Sequence, residues 1–219
     1  MKRQAIVVGL GQFGMALARA LTHEEVEVFG IDVDEDKVAA ASTFVSEAAL
    51  IDGMDEHALA RTAPARRDFC VCAIGDEAKD ASIICTALLR QLGAKRVISR
   101  ANDDLHARIL HLVGAETVVN PEREFGERFA QTLLHSQIKG QMPLGQGLWV
   151  TDFSVPEPFV GQTLIDLELP RRFAVTVVAV RKGNAGAVVM PKGDTTLTHG
   201  DVIVVVSEAG AVSDMLERL

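Results

Sequence analysis

The chain has no tyrosine, one tryptophan and three cysteines among 219 residues. Without tyrosine, a Tyr/Lys catalytic dyad of the short-chain dehydrogenase type is impossible. Cys70, Cys72 and Cys85 are odd in number and lack CxxC spacing, which argues against a disulfide framework or a thiolate metal cage. Cys70 and Cys72 stand two apart in an apolar run, so on a strand they share one face and read as small buried thiols. No apolar run approaches the roughly 20 residues needed to span a bilayer. The run after Met1, Lys2 and Arg3 is interrupted by Gly9, Gly11 and Gly14, which does not suit a signal peptide. The expectation from these features is a cytoplasmic chain. The net charge of −8 argues against nucleic acid as a nonspecific partner, and against nonspecific attraction to an anionic membrane.

Catalytic signatures are also missing. There is no HExxH, Gly-x-Ser-x-Gly or P-loop. His23, His57, His106, His111, His135 and His199 are scattered, and His106 and His111, five apart, do not share a helix face. Hydride transfer needs a group that moves the accompanying proton, and the chain offers no obvious one. The expectation is a binder without chemistry, not an enzyme. A small NAD-dependent oxidoreductase and a soluble nucleotide sensor with a non-transport partner are the alternatives.

What is present begins with Ala5-Ile6-Val7-Val8-Gly9-Leu10-Gly11-Gln12-Phe13-Gly14, followed by Ile31-Asp32. It reads as a buried strand, a glycine turn, a helix start and a second strand ending in an acid. Gly9 permits a sharp turn, Gly11 lets backbone N–H groups approach a phosphate, and Gly14 lets the helix sit close to the sheet. The phosphate then meets unpaired N–H groups and the positive end of the helix dipole. Asp32 stands about 20 residues on, where a carboxylate accepts from both ribose hydroxyls and repels a 2′-phosphate, which disfavours NADP. A plain tight turn for the glycines and a helix cap for Asp32 are the simpler alternatives; Asp34 can equally cap the next helix.

Strands are expected at 4–8, 27–31, 44–48, 69–73, 96–99 and 117–119, and helices at 13–22, 35–41, 56–62, 80–92, 103–113 and 122–137. The βαβα alternation implies an α/β fold, a Rossmann-like doubly wound parallel sheet. A glycine- and proline-punctuated stretch, 140–147, is expected to be a linker. It separates a nucleotide-binding domain, 1–139, from a small, mostly antiparallel α+β module, 146–219. The module has strands at 148–155, 175–180, 185–189 and 201–206 and a closing helix at 209–219. Turn signals are Lys182-Gly183-Asn184, 191–194 and 199–201.

Ligands of such sheets sit at the carboxyl ends of the strands. The turns there are Asp52-Gly53-Met54-Asp55, Ala73-Ile74-Gly75-Asp76, Arg100-Ala101-Asn102 and Asn120-Pro121-Glu122. Gly53 and Gly75 would give a base room, and Met54 could cover an adenine face. Arg100 is the basic side chain at these turns, either a phosphate contact or an ion-pair partner of Asp103 or Asp104. Glu122, after Pro121, is either a helix-start carboxylate or a metal or phosphate sensor.

The ordered set GLGQFG, Ile31-Asp32-Val33-Asp34, Ala73-Ile74-Gly75, Arg100-Ala101-Asn102, Gly114-Ala115-Glu116 and 120–126 resembles the KtrA/TrkA family of RCK (KTN) proteins. The 159–164 and 198–201 segments resemble that family's C-terminal module. The resemblance implies a regulatory, gating subunit of a potassium uptake system. Such a subunit forms dimers in an octameric ring at the inner face of the membrane, under a potassium-translocating partner of the KtrB/TrkH type. It implies adenine nucleotide, ATP or ADP, or NAD(H), as ligand, with a divalent cation, magnesium or calcium, near Glu122. On matching positions Gly9, Gly11, Gln12, Phe13 and Gly14 surround the phosphates. Asp32, Val33 and Asp34 hold the ribose end, and Gly53, Met54, Ala73, Ile74 and Gly75 flank the adenine. Many KtrA sequences carry arginine where this chain has Gln12, so NAD(H), or a shifted basic partner such as Arg100, gains weight. Cyclic di-AMP is a further ligand the C-terminal module could hold.

Overall fold

The computed structural model describes residues 2–75, 78–134, 136–183 and 186–219, with only the backbone of Gln131 and Thr132. Met1, Asp76, His135, Asn184 and Ala185, all named above, lie outside the described residues. The chain divides into two compact units, Met1–Arg123 and Glu124–Leu219.

The first unit alternates strands and helices: β1 (Gln4–Val8), α1 (Gln12–His23), β2 (Glu27–Asp32), α2 (Glu35–Ser42), β3 (Glu47–Leu50) and α3 (Glu56–Arg61). It continues through β4 (Phe69–Cys72), α4 (Lys79–Gln91), β5 (Val97–Arg100), α5 (Asp104–Leu112), β6 (Thr117–Val119) and the start of α6 (Pro121–Leu134). All pairings are parallel, in the order β3-β2-β1-β4-β5-β6. The strand order reverses between β1 and β4, which opens a crevice at their carboxyl ends.

Alternation along the strands fills both faces. Ile6, Val8, Cys70 and Cys72 join Leu59, Cys85 and Leu89 on one side; Val7, Val28 and Val71 join Leu10 and Ala18 on the other. The three cysteines are free and buried, and burial pushes the Cys70 thiol up to about 12. Aspartates start three helices: Asp34 for α2, Asp55 for α3 and Asp103 for α5 each accept backbone N–H bonds from the first turn. One strand is displaced from its expected place. Phe44 and Val45 are not in a strand: Val45 is buried in the core, and Phe44 lies beneath the Arg19 guanidinium, 4.0 Å from its ring centre. β3 follows at 47–50 as a half-exposed edge strand, where a weak apolar signal suffices.

The second unit holds the rest of α6, β7 (Ile138–Gly145), β8 (Leu148–Ser154), α7 (Leu164–Leu167), α8 (Leu169–Phe173), β9 (Thr176–Lys182), β10 (Ala187–Val189), β11 (Val202–Glu208) and α9 (Ala211–Glu217). Its antiparallel sheet runs β10-β9-β11-β8-β7 over a core that includes Phe153, Phe159, Ile203 and Met215. The expected linker at 140–147 is instead the hairpin of β7 and β8. Gly145, Gln146 and Gly147 turn it with φ of +102°, +52° and +82°. Pro143 sits on an edge strand, where a missing N–H is tolerated. At Gly140, beside a register shift, a Cβ would meet Asp152 Oδ1 at 2.6 Å.

A buried carboxylate ties the second unit's loops together. Asp201, 1% exposed, accepts from Lys182 Nζ at 2.6 Å and from the N–H groups of Gly183 and Thr198, each at 3.0 Å. Burial pushes its pKa up, but the Lys182 ammonium and the N–H donors outweigh that and hold it below its ordinary value of 3.8. A depressed native value means stability present above 3.8 and lost as pH falls through the native value. Asp201→Ala should cost about 3 kcal/mol at neutral pH, the low end for a broken buried pair because Lys182 stays partly solvated. It should also flatten the acid limb of stability below about pH 4; urea unfolding across pH measures both.

Candidate functional site

The crevice at the switch point has a volume of about 700 Å³. Two backbone bonds fix its floor: Gly9 N–H donates to Ile31 O at 2.7 Å, and Ala73 N–H donates to Val8 O at 2.7 Å. Gly9 adopts φ +94°, and a Cβ there would lie 2.9 Å from Ile74 N, so both conformation and space demand glycine. At Gly14 a Cβ would fall 1.8 Å from Gly9 O, so the helix can lie against the turn only without a side chain. At Gly11 a Cβ would meet nothing within 4 Å. That open space lies at the start of α1, whose cap position, Gly11 itself, supplies no side-chain hydrogen bond. The helix therefore presents N–H groups and its positive dipole end where an anion fits.

Asp32 lines the crevice near the end of β2. It is 8% exposed, and its carboxylate is held from two sides: Leu10 N–H donates to Oδ2 at 2.6 Å and Asp34 N–H to Oδ1 at 2.9 Å. Each oxygen keeps acceptor capacity for a hydroxyl. Asp34, not Asp32, caps α2, accepting from Asp36 N–H at 3.0 Å and Lys37 N–H at 3.4 Å.

Of the residues named from sequence, Gly9, Gly11, Asp32, Val33, Gly53, Met54, Ala73, Ile74, Gly75 and Arg100 line the crevice together. Gln12 is exposed at the first position of α1, and Phe13 is half-buried with the Arg100 guanidinium 6.0 Å from its ring centre. Gly14 lies buried behind the turn; Asp34 and Glu122 are not among the lining residues. Gly53 also has a packing role. A Cβ there would strike Val8 Cγ1 at 2.9 Å and Cys85 Sγ at 3.2 Å, so it lets its loop settle on the sheet and carries Met54, 44% exposed, to the rim.

Arg100 pairs with neither Asp103 nor Asp104. Its Nη2 lies 2.7 Å from Glu122 Oε1, while Asp103 takes Lys79 and Asp104 takes Arg123. Sequence reasoning missed Lys37, which lines the crevice with its Nζ 3.3 Å from Asp34 Oδ2 and 3.9 Å from Asp32 Oδ1. The signal was there: a lysine three residues after a capping aspartate shares its helix face.

The residues fit an adenine nucleotide: an open glycine turn at a helix start, an anchored carboxylate and the rim side chains Val33 and Met54. A divalent cation here would need oxygen ligands beyond the protein's carboxylates, such as those of a bound phosphate. Glu122 already engages Arg100, and no cluster of three or more His, Cys, Asp or Glu forms among the described residues.

Residues 5–121 match the TrkA-N domain family and residues 150–219 the TrkA-C domain family. The chain is similar to the Ktr system potassium uptake protein A of Vibrio alginolyticus, 35% identical over 217 residues, covering 99% of this chain and 98% of that protein. It is similar to the Ktr system potassium uptake protein C of Bacillus subtilis strain 168, 30% identical over 219 residues, covering 100% and 98%. Among solved structures, a GsuK channel bound to NAD superposes with TM-score 0.65 at 18% identity, covering 96% of this chain and 38% of that one. This chain thus spans less than half of that channel polypeptide, and the likeness shows the fold.

The two glycines separate folding from binding. Gly14→Ala should destabilise the ligand-free protein by about 1–3 kcal/mol or more through overpacking. Gly11→Ala, at a cap position where glycine outranks alanine, should cost about 0.5–1 kcal/mol, yet weaken nucleotide binding by filling the open space. Thermal unfolding and nucleotide titration of both variants check this.

Proposed function

The chain belongs to the Ktr/TrkA family of potassium uptake proteins, and we propose that it is a nucleotide-sensing regulatory subunit that gates a potassium-translocating membrane partner. The observation that carries this reading is the Asp32 carboxylate, tied to the glycine turn through Leu10 N–H inside the switch-point crevice. A carboxylate so held accepts ribose hydroxyls without reorganising. The N-terminus of α1 then takes the phosphates, and Val33 and Met54 are placed to cover the base.

The ligand is an adenine nucleotide, ATP, ADP or NAD(H). Gln12 cannot form a charge-assisted bond to an outer phosphate. That favours NAD(H), unless Arg100, on the crevice wall, reaches the phosphates in place of an arginine at position 12. Glu122 is the present partner of Arg100 at the first turn of α6. A phosphate reaching Arg100 competes with Glu122 and changes the charge at the start of that helix.

No helix among the described residues is long and apolar enough to cross a membrane. In this reading the ion path belongs to a second polypeptide, of the KtrB/TrkH type, with this chain peripheral on its cytoplasmic side. Exposed apolar residues on α5 (Leu105, Leu112) and α6 (Phe125, Phe129, Leu133) suit association of copies into dimers and an octameric ring. A ligand shifts such an assembly only by its differential affinity for two arrangements.

Mass spectrometry of the ligand retained by purified protein, followed by titration with ATP, ADP and NADH, tests the reading. An adenosine compound with measurable affinity is expected; no affinity for any of them defeats it. Asp32→Ala should lower that affinity about tenfold or more, since hydrogen bonds to a charged group contribute about 1.5–3 kcal/mol each. Glu122→Gln should alter nucleotide-dependent potassium uptake while the circular dichroism spectrum stays unchanged.

A further inference from the structure

Two carboxylates face one ammonium near the end of β2. Asp32 is buried and immobilised by the N–H groups of Leu10 and Asp34. Asp34 caps α2 through Oδ1, and its Oδ2 points to Lys37 Nζ at 3.3 Å. The same ammonium lies 3.9 Å from Asp32 Oδ1, beyond hydrogen-bond length but well within Coulomb range. The Asp34 N–H donates to Asp32 Oδ1, and the Asp34 carboxylate is held by its cap bonds to α2, so the two charges stay near each other. Lys37, whose side chain is 44% exposed and lines the crevice, is the cation between them. The trio carries a net charge of −1; without the lysine it would carry −2 at the point where a polyanionic ligand must enter.

We infer that Lys37 is a positioning and specificity residue: it cancels the Asp34 charge, so that the site presents one net carboxylate, that of Asp32, to an unphosphorylated ribose. This rests on the nucleotide reading above and names what tunes it. Lys37 uses one direction on Asp34 and one toward Asp32. It does not suffice to welcome a 2′-phosphate, because that group would bring two further negative charges against a trio already at −1.

The prediction separates charge from structure. Lys37→Met should weaken NADH and ADP binding about three- to fivefold, the range for a half-exposed ion pair. The loss should shrink as salt rises, since the screening length falls to about 3 Å at 1 M. Lys37→Arg should bind like the parent. Asparagine caps helices as well as aspartate does, so Asp34→Asn removes the charge and keeps the cap. The double variant Lys37→Met, Asp34→Asn should therefore recover parental affinity, whereas a merely structural lysine would give no such rescue. NADPH should bind more weakly than NADH to the parent, and the gap should widen in Lys37→Met. If the parent binds NADH or ADP and Lys37→Met binds equally well, or the double variant stays as weak as Lys37→Met, the role of Lys37 is overturned while the nucleotide site stands. If the parent binds no adenosine ligand, both fall.

Discussion

The hydrogen bond from Leu10 N–H to the Asp32 carboxylate is the constraint on which the rest of the site depends. It joins the turn after β1 to the end of β2, two segments 22 residues apart in sequence. Parallel pairing of the strands brings them side by side, and the bond then fixes how the turn is presented. Gly9 can leave the strand only with positive φ, and Gly14 can follow only by lying against the Gly9 carbonyl. The open space at Gly11 is the remainder: it exists because its neighbours on both sides are held. A carboxylate buried to this degree would be costly without donors. Here the donors are backbone groups of the turn itself, so satisfying the acid and shaping the crevice are one event.

The second unit repeats the same physics without an apparent ligand role. Asp201 is more deeply buried than Asp32 and takes three donors, one of them the Lys182 ammonium. There the acceptor capacity is spent on loop closure. At Asp32 each oxygen takes one backbone donor, and capacity is left facing a crevice. That contrast, more than burial or charge, distinguishes a structural acid from one free to bind.

Reading the sequence recovered the elements of the first unit because two-sided burial leaves strong, periodic apolar runs. It faltered where burial is partial. β3 is an edge strand with a weak pattern, and Phe44-Val45, more apolar, drew the expectation forward although those residues pack as loop. The stretch 140–147 read as a linker because glycine and proline mark turns, edges and bulges alike; only pairing with β8 shows which. The glycine motif and Asp32 were legible, since their chemistry is local and their spacing is set by one βαβ unit. Partners of long side chains were not. Arg100 had two acids within four residues, but its partner is Glu122, 22 residues on, brought near because β5 pairs with β6.

By itself, then, the sequence determined the fold class, the glycine turn with its acid, and the family. These follow from periodicity and from residue types with few conformational alternatives. Tertiary structure alone decided which acid caps a helix and which faces the crevice, why Gly53 must be glycine, and that Lys37 stands beside both acids. Those facts depend on distances across the ends of several strands, and a linear pattern carries no record of such distances until the sheet has closed.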